Sequence, residues 1–429
     1  MIQAGFSAYY VTPLFHGTDA ELNSDVMDEA IELAWSTSRI LQLPPTHIPI
    51  ARTIYVVDKP GLKIQGTWLN IQDHRGSVFY WEGEPFVLDV HIDPDNPIPS
   101  SAIRLINSSN ATFENFGVYA SKELGWVCTS NTRLGIQGSQ PTGSVNWTGV
   151  RGWSINGSLL GGWCFARTYD QREANDSEPV FTRCAVNNIG RGDPNLGNDP
   201  ETYHEYEPTG FLIEQGQAKE VLIQQCTVLG TGRYNGDVGI GVHCKRGSFQ
   251  WDGKGGGIGR LNTAFRWDSV VGGNTHVTGG NFESIRRFAH IQSSWHHNTL
   301  TLSNLRISRN AMTSDDVIIN IVGASGPMVI RELDVDGVGP ADSRETVIRW
   351  TLNKNQRPAP IGTLETPASL SIENCCFGTW HLDDWQAFQL WQGDHTSRRV
   401  NVRGCVVVND DQPEDRHMLF EGRALEATR

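Results

Sequence analysis

The sequence repeats one eight-residue pattern of apolar positions along most of its length. The pattern is h-x-h-x-x-h-x-h, where h is an apolar or small residue, and residues 370–377 carry its clearest copy. The other copies begin at Leu62, Ala111, Thr148, Pro179, Val221, Thr275, Leu300, Met328 and Val400. Where they lie closest together, successive copies begin about 25 to 30 residues apart.

Each h-x-h half of the pattern is a short strand with its apolar side chains on one face. The two-residue gap breaks the alternation, so the chain has to bend before the next apolar pair can face the same core. Strands that bend in this way at this period form the coils of a parallel β-helix. Antiparallel hairpins would need Asn-Gly-type turns, which are nearly absent, and leucine-rich repeats have a different frame and a shorter period. The pattern therefore predicts an all-β solenoid.

The gap in the pattern carries a second regularity. The residue before the third apolar position is asparagine in three copies, at Asn115, Asn304 and Asn374. Asparagine tolerates left-handed backbone and bonds its own chain. We therefore expect these residues to form the corner between the two strands and to stack as a ladder.

Four of the eight cysteines occupy the third apolar position, namely Cys184, Cys226, Cys375 and Cys405. We interpret them as small core hydrophobes rather than as disulfides or metal ligands. Cys376 follows Cys375 directly and is expected to point away from the core. The chain has no Cys-x-x-Cys or His-x-x-x-His pair, so we expect neither a zinc site nor a cofactor.

Charge and hydropathy restrict the partners of the chain. Its 429 residues carry a formal net charge of -13, and an acidic surface argues against nucleic acid. No run of about 18 apolar residues predicts insertion into a membrane. The first ten residues lack the basic and apolar regions of a signal peptide. A protein that acts outside a cell without such a signal fits a virion, because lysis releases it.

The N-terminal part resembles a known superfamily. An amphipathic helix is predicted from Ser24 or Asp25, its expected cap, to Trp35; an apolar strand then ends in Leu-Pro-Pro at 43–45, and a Leu-x-Ile-x-Gly element follows at 62–66. These elements look like the start of the pectate-lyase-like superfamily, which includes phage tailspikes, although the usual Pro-x-Gly-x-Tyr is missing. The resemblance implies a right-handed parallel β-helix and a homotrimer. The catalytic motifs of polygalacturonases and calcium pectate lyases are not matched, so no catalytic role is carried over.

We expect three regions along the chain. Residues 1–23 are predicted as a lead-in or attachment segment, residues 24–410 as the β-helix, and residues 411–429 as a C-terminal tail. Two long insertions, at 187–209 and 229–263, are predicted to interrupt the coils. Loops of this length in a regular scaffold are commonly functional.

A candidate site follows from a second set of strands. In each of these strands the first and third residues are apolar and should face the core, so the fourth faces out. The fourth positions give an outward ladder of Glu214, His243, Asp268, Gln292 and Asn320, with Arg266 and His290 beside it. Tyr206, Tyr234 and Trp251 belong to the two insertions and would wall the ladder with aromatic faces suited to sugar rings.

The ladder supports a specific catalytic hypothesis. Coils stack at about 4.8 Å, so Glu214 and Asp268, two coils apart, would have backbones about 9.6 Å apart. Inverting glycosidases hold their two carboxyl groups about 6.5–9.5 Å apart, with room for a water molecule. His243 would lie between the two acids and tune their protonation. The alternatives are a glycan-binding face without catalysis and an ordinary solvated surface.

The sequence is compatible with three functions. The first is a virion appendage of the tailspike or receptor-binding type, which binds and possibly depolymerises a host surface polysaccharide after docking through another virion protein. The second is a cellular polysaccharide hydrolase or lyase. The third is a structural head-fibre or decoration protein without enzymatic activity.

Overall fold

The structure is a computed structural model, and it describes the following residues: 9–70, 75–82, 88–89, 98–99, 103–106, 108, 111–120, 128–131, 146–151, 154–156, 161–165, 177–189, 209–214, 220–230, 239–246, 248–268, 274–292, 299–308, 317–322, 327–336, 346–351, 369–379, 386–390, 399–409 and 412–419. The chain divides into two compact units. The first unit comprises Met1–Gln217 and Cys226–Thr231, and the second comprises Ala218–Gln225 and Gly232–Arg429.

The first unit contains the helix Ala20–Ser36 and a series of short strands. Its strands are Tyr10–Val11, Ile40–Gln42, His47–Ile50, Ile54–Val57, Lys63–Gln65, Trp68–Asn70, Arg75–Gly76, Val78–Trp81, Leu88–Asp89, Ile98–Pro99, Ile103–Ile106, Thr112–Glu114, Gly117–Ala120, Cys128–Asn131, Asn146–Arg151, Ser154–Asn156, Gly161–Phe165, Ser177–Thr182, Ala185–Ile189, Thr209–Glu214 and Thr227–Gly230.

The second unit is built from strands throughout its described part. They are Glu220–Gln224, Ile240–Arg246, Ser248–Asp252, Gly257–Trp267, Thr275–Thr278, Asn281–Ile291, Leu300–Ser308, Val317–Val322, Pro327–Asp336, Thr346–Thr351, Ser369–Glu373, Cys376–Thr379, Gln386–Leu390, Arg399–Arg403, Cys405–Asn409 and Gln412–Leu419.

The strands pair in parallel, and their register matches the apolar pattern. In the second unit the first apolar positions of five copies lie level with one another, in the order Thr275, Leu300, Met328, Leu370 and Val400. In the first unit the second apolar positions of four copies lie level with one another, in the order Ile64, Phe113, Val150 and Phe181. The predicted right-handed parallel β-helix is confirmed.

The predicted copy of the pattern at Leu62 is wrong in its second half. The copy at Leu62 does not continue through Leu69, because Trp68–Asn70 turns back and pairs antiparallel with Arg75–Gly76. The strand Val78–Trp81 takes its place and buries Phe79 completely, level with Val118 of the next coil.

The segment 229–263, predicted as an insertion, is mostly regular coil. It contains the strands Ile240–Arg246 and Ser248–Asp252 and the start of Gly257–Trp267. The glycines that indicated a loop instead permit close stacking, since a Cβ on Gly257 would collide with the carbonyl oxygen of Asn281 on the next coil. Residues 231–238, and residues 190–208 of the other predicted insertion, lie outside the described residues.

The N-terminal helix begins earlier than predicted. Its cap is Asp19, whose side chain accepts a hydrogen bond from the backbone N–H of Leu22, rather than Ser24 or Asp25. Ser24 is buried, and its hydroxyl donates to the carbonyl of Ala20 and accepts from the N–H of Ala51. Among the described residues, no helix is both long and apolar enough to cross a bilayer.

Both predicted ends of the chain contain further strands. Tyr10–Val11, inside the predicted lead-in, pairs in parallel with Ile40–Gln42. At the other end, Gln412–Leu419 turns back and pairs antiparallel with Cys405–Asn409.

The corner between the two strands of a coil has left-handed backbone, as predicted. The residue at this corner has φ between 53° and 62° in each of Asn115, Arg183, Gln225, Arg260, Ser284, Asn304, Glu332, Asn374 and Gly404. Each of these residues directly precedes a buried apolar or cysteine side chain. At the last two corners the Asn374 side-chain oxygen occupies the space that a Cβ on Gly404 would need. The corner thus depends on backbone conformation more than on asparagine itself.

The cysteines at the third apolar position are core residues. Cys184, Cys226, Cys375 and Cys405 form no disulfide, and at most 1% of their surface is exposed. Cys376 is half-buried, in keeping with its predicted outward direction. The backbone N–H of Cys184 donates to the sulfur of Cys226 on the next coil, so stacked cysteines fill this corner as small, weakly polar side chains.

The left-handed corner predicts an unusual response to glycine. Glu332→Gly should raise the free energy of unfolding by about 0.5–1 kcal/mol. Left-handed backbone costs a non-glycine residue about 1–2 kcal/mol, and glycine removes this cost. The extra conformational entropy that glycine loses on folding offsets about half of the gain. The matched control, Glu283→Gly, lies within the exposed part of a strand and should lower stability by about 0.5–1 kcal/mol. Urea unfolding measures both, and changes of the same sign would contradict this account of the corner.

Candidate functional site

Five polar or charged residues lie level with one another on successive coils of the second unit. The register pairs His243 with Arg266, Arg266 with His290, His290 with Asn320, and Asn320 with Arg349. We call these five residues the polar row. Neighbouring members belong to strands about 4.8 Å apart. The row therefore runs across the strands and along the stack of coils.

The register differs from the predicted ladder by two residues in two places. His243 was expected level with Asp268 and is level with Arg266, while Gln292 was expected level with Asn320, which instead pairs with His290. Because side chains alternate with period two, a shift of two residues keeps each of them on the same face. The alternation therefore identifies the face without specifying the register.

Asp268 joins the first two members of the row. Its Oδ2 lies 2.7 Å from Nε2 of His243, and its Oδ1 accepts a hydrogen bond of 2.8 Å from Nε of Arg266. The imidazole is nearly buried, with 6% of its side chain exposed, whereas the Asp268 and Arg266 side chains are 26% and 32% exposed. A ligand on this face would therefore meet the carboxylate and the guanidinium first.

The contacts of Asp268 keep its carboxyl ionised. Burial by itself raises the pKa, but the hydrogen bond from His243 and the charges of His243 and Arg266 outweigh it and lower the pKa to about 2. At neutral pH this group is a hydrogen-bond acceptor with no proton to give. It therefore does not suit the role of general acid.

His290 is the middle member of the row. Its Nδ1 lies 3.1 Å from the side-chain nitrogen of Asn320, so the amide donates and the imidazole proton resides on Nε2. Burial and the positive charges of Arg287 and Arg266 lower the pKa of His290 to about 4. At neutral pH this imidazole is an uncharged hydrogen-bond donor.

The other predicted site residues are not members of the polar row. Gln292 is partly exposed, and its backbone N–H donates to the carbonyl of Trp267, which places it on the coil after Asp268. Glu214 ends the strand Thr209–Glu214, and its side chain lies outside the described residues, as do Tyr206 and Tyr234. The expected pairing of Glu214 with Asp268 stays a prediction.

Trp251 does not wall the site. It is 1% exposed, lies level with Val277 in the core, and packs edge-on against Phe265 at 5.5 Å between ring centroids. The prediction that Trp251 presents an aromatic face to sugar rings depended on 229–263 being an insertion. In the structure, Phe249 and Trp251 supply the apolar positions of a regular coil.

Arg349 is the member that sequence reasoning missed. It lies between the buried side chains of Ile348 and Trp350, in the same apolar-polar-apolar alternation that surrounds Arg266. That alternation was the available signal for including the strand Thr346–Thr351. Within the described part of the chain, no group of three or more His, Cys, Asp or Glu side chains is arranged to hold a metal ion.

Comparison with known proteins gives structural similarities only. No protein-family model matches the sequence, and no curated protein is significantly similar to it. The catalytic unit of a GH87 alpha-1,3-glucanase from Streptomyces thermodiastaticus is similar with a TM-score of 0.45 and 13% identity, over 94% of this chain and 69% of that chain. The tailspike protein of an Acinetobacter phage has a TM-score of 0.40 and 11% identity, over 99% of this chain and 65% of that chain.

Burial of Trp251 predicts a stability effect. Trp251→Ala should lower the free energy of unfolding by about 3–5 kcal/mol, the usual cost of removing a large buried aromatic side chain. Gln250→Ala, one residue earlier on the same strand, should change it by no more than about 1 kcal/mol. Urea unfolding measures both free energies. If Trp251→Ala lowered the unfolding free energy by no more than Gln250→Ala does, the burial of Trp251 would be contradicted.

The contacts of Asp268 predict how stability depends on pH. The pKa of about 2 lies below the ordinary value of 3.8, so the ionised carboxylate stabilises the fold at neutral pH and loses this contribution as the pH falls towards 2. The two pKa values correspond to about 2 kcal/mol. Wild type should therefore exceed Asp268→Asn by about 2 kcal/mol in unfolding free energy at pH 6, and the gap should close towards pH 2. A gap that stays constant with pH would contradict this role of the carboxylate.

Proposed function

We propose that this protein binds a polysaccharide along the polar row of its second unit. The observation that carries the proposal is the register, which brings His243, Arg266, His290, Asn320 and Arg349 level on five successive coils. A row of hydrogen-bonding groups repeated about every 4.8 Å presents an extended polar face. An extended polymer with hydroxyl groups along its length is the ligand that such a face fits.

The side chains of the row are held in place before any ligand arrives. Asp268 fixes Arg266 and His243 with contacts of 2.8 and 2.7 Å, and Asn320 fixes His290 at 3.1 Å. Groups whose orientation is set by neighbouring hydrogen bonds lose little conformational entropy on binding. Ionised Asp268 accepts hydrogen bonds from sugar hydroxyls, and Arg266 and His290 supply donors.

Cleavage of the bound chain, by hydrolysis or by elimination, is the second candidate. The pair formed by Asp268 and His243 favours it, because an ionised carboxylate beside an imidazole is a common arrangement in catalysis. Asp268 itself suits the role of electrostatic stabiliser rather than that of acid or base, because a carboxylate with a pKa of about 2 is a weak base at neutral pH. A hydrolase would therefore need a second carboxyl group, and Glu214 remains the predicted one.

The biological setting is also part of the proposal. We place the polysaccharide on a host cell surface and the protein on a virion, as a homotrimer docked through another virion protein. What supports this setting is the tailspike-like arrangement of the N-terminal helix and strands. Light scattering of the purified protein tests the trimer. A monomeric mass would contradict the proposed homotrimer.

A combined binding and cleavage assay tests the function. Wild type should bind at least one capsule or lipopolysaccharide preparation from a panel of bacteria. Asp268→Asn should weaken that binding about tenfold or more, the usual effect of losing a charge-assisted hydrogen bond. Released reducing ends and the absorbance of unsaturated sugars report hydrolysis and elimination in the same samples, and Glu214→Gln should abolish hydrolysis only if the two acids act as a pair.

The control variant changes a similar ion pair that lies elsewhere on the coils. Glu373 accepts a hydrogen bond of 2.9 Å from Arg403, outside the polar row. Glu373→Gln should leave binding within about twofold of wild type. Equal losses in Glu373→Gln and Asp268→Asn, or no binding of wild type to any preparation, would contradict the proposed function.

A further inference from the structure

Two buried cysteines of the second unit lie level with each other on neighbouring coils. The strands on both sides of their corner pair in register, and the backbone N–H of Val406 donates a hydrogen bond of 2.9 Å to the carbonyl oxygen of Cys375. Cys375 is therefore level with Cys405. Each has 1% of its surface exposed, so both side chains enter the same corner of the core.

The spacing of the coils allows a covalent bond between these two residues. Stacked coils place the two Cα atoms about 4.8 Å apart. Disulfides join Cα atoms that are about 4.4–6.8 Å apart, with Cβ atoms at about 3.5–4.5 Å. Parallel side chains on stacked coils have their Cβ atoms about as far apart as their Cα atoms. A bond here thus requires the corners to approach by a few tenths of an ångström, and such a bond is more easily reduced than an unstrained one.

The sulfur atoms are already directed across the coil boundary. The sulfur of Cys405 lies 3.7 Å from the carbonyl oxygen of Ile372, which belongs to the strand just before Cys375. The hydrogen bond between the two thiols raises the pKa of Cys375 and lowers that of Cys405, although burial raises both. Cys405 is therefore the thiol that ionises first, and the thiolate is the reactive form of cysteine. At Cys244, by contrast, burial raises the pKa of the thiol.

We propose that Cys375 and Cys405 form a redox-sensitive pair, which closes to a disulfide across two coils when the protein meets an oxidised small-molecule disulfide such as oxidised glutathione. The Cys405 thiolate attacks one sulfur of the oxidant, forms a mixed disulfide and releases one small thiolate. Cys375 loses its proton and attacks the Cys405 sulfur, which forms the protein disulfide and releases the second small thiolate. The two protein protons end on the two small thiols, so the protein loses two electrons and the oxidant gains them.

The bond would change the stability of the C-terminal coils without using the polar row. It would close a loop of about 30 residues, and a cross-link of this span restricts the unfolded chain. The pair would stay reduced in a cytoplasm, where glutathione keeps thiols reduced, and would close in an oxidising medium. This inference is independent of the proposed polysaccharide binding.

Peptide mapping tests the bond directly. The folded protein, purified in its reduced form, is incubated for a day with oxidised glutathione at about pH 8, alkylated and digested with trypsin. Cleavage after Arg399 and Arg403 leaves Cys375 and Cys405 on different peptides. We expect these two peptides to be joined by a disulfide in most molecules and to separate on reduction with dithiothreitol. The midpoint of urea unfolding should rise by about 0.5–1 M on oxidation and return on reduction.

A neighbouring cysteine supplies the matched control. Cys376 is half-buried and lies level with Val406, so Cys376→Ser should keep both the linked peptides and the urea shift. Cys405→Ser should lose both. The wild-type digest decides the question even if Cys405→Ser does not fold.

Three results would overturn the inference. The first is wild type whose Cys375 and Cys405 remain alkylated thiols after the incubation. The second is a glutathione adduct that persists on either cysteine, because the second exchange step would then not occur. The third is a link that disappears in Cys376→Ser, which would assign the bond to Cys376 instead.

Discussion

Each coil of the β-helix must turn a sharp corner without exposing its core. A left-handed residue meets this constraint between two short strands, and a buried side chain follows it at once. Because the corner recurs at the same place in successive coils, the strands on either side stack in register. The apolar stacks from Thr275 to Val400 and from Ile64 to Phe181 are the consequence.

The same stacking that builds the core also builds the candidate site. Parallel strands in register place one side chain above another, so any polar residue that recurs at one position becomes a row. His243, Arg266, His290, Asn320 and Arg349 come from separate parts of the chain and meet only in this way. Asp268 then links two of them, because its side chain contacts both Arg266, two residues earlier in the chain, and His243.

Buried aromatic residues show how the fold sorts side chains of similar chemistry. Trp251 and Trp267 are both almost completely buried, and Phe249, Phe265 and Trp267 stack in one aromatic column of the second unit. Aromatic side chains in a β-helix are therefore as readily core residues as ligand platforms. The polar row itself offers hydrogen bonds and charge rather than aromatic faces.

The pattern of residues was sufficient to predict the fold class, the two-strand coil, the left-handed corner at Asn115, Asn304 and Asn374, and the core position of the cysteines. It also identified the outward face, because an alternation of period two is visible in the residues. The register could be read only from the packed coils, since a shift of two residues leaves that alternation unchanged. The packed coils also put Trp251 in the core, because residues 248–252 form a regular strand, and they put Arg349 in the row, because Thr346–Thr351 pairs with Val317–Val322.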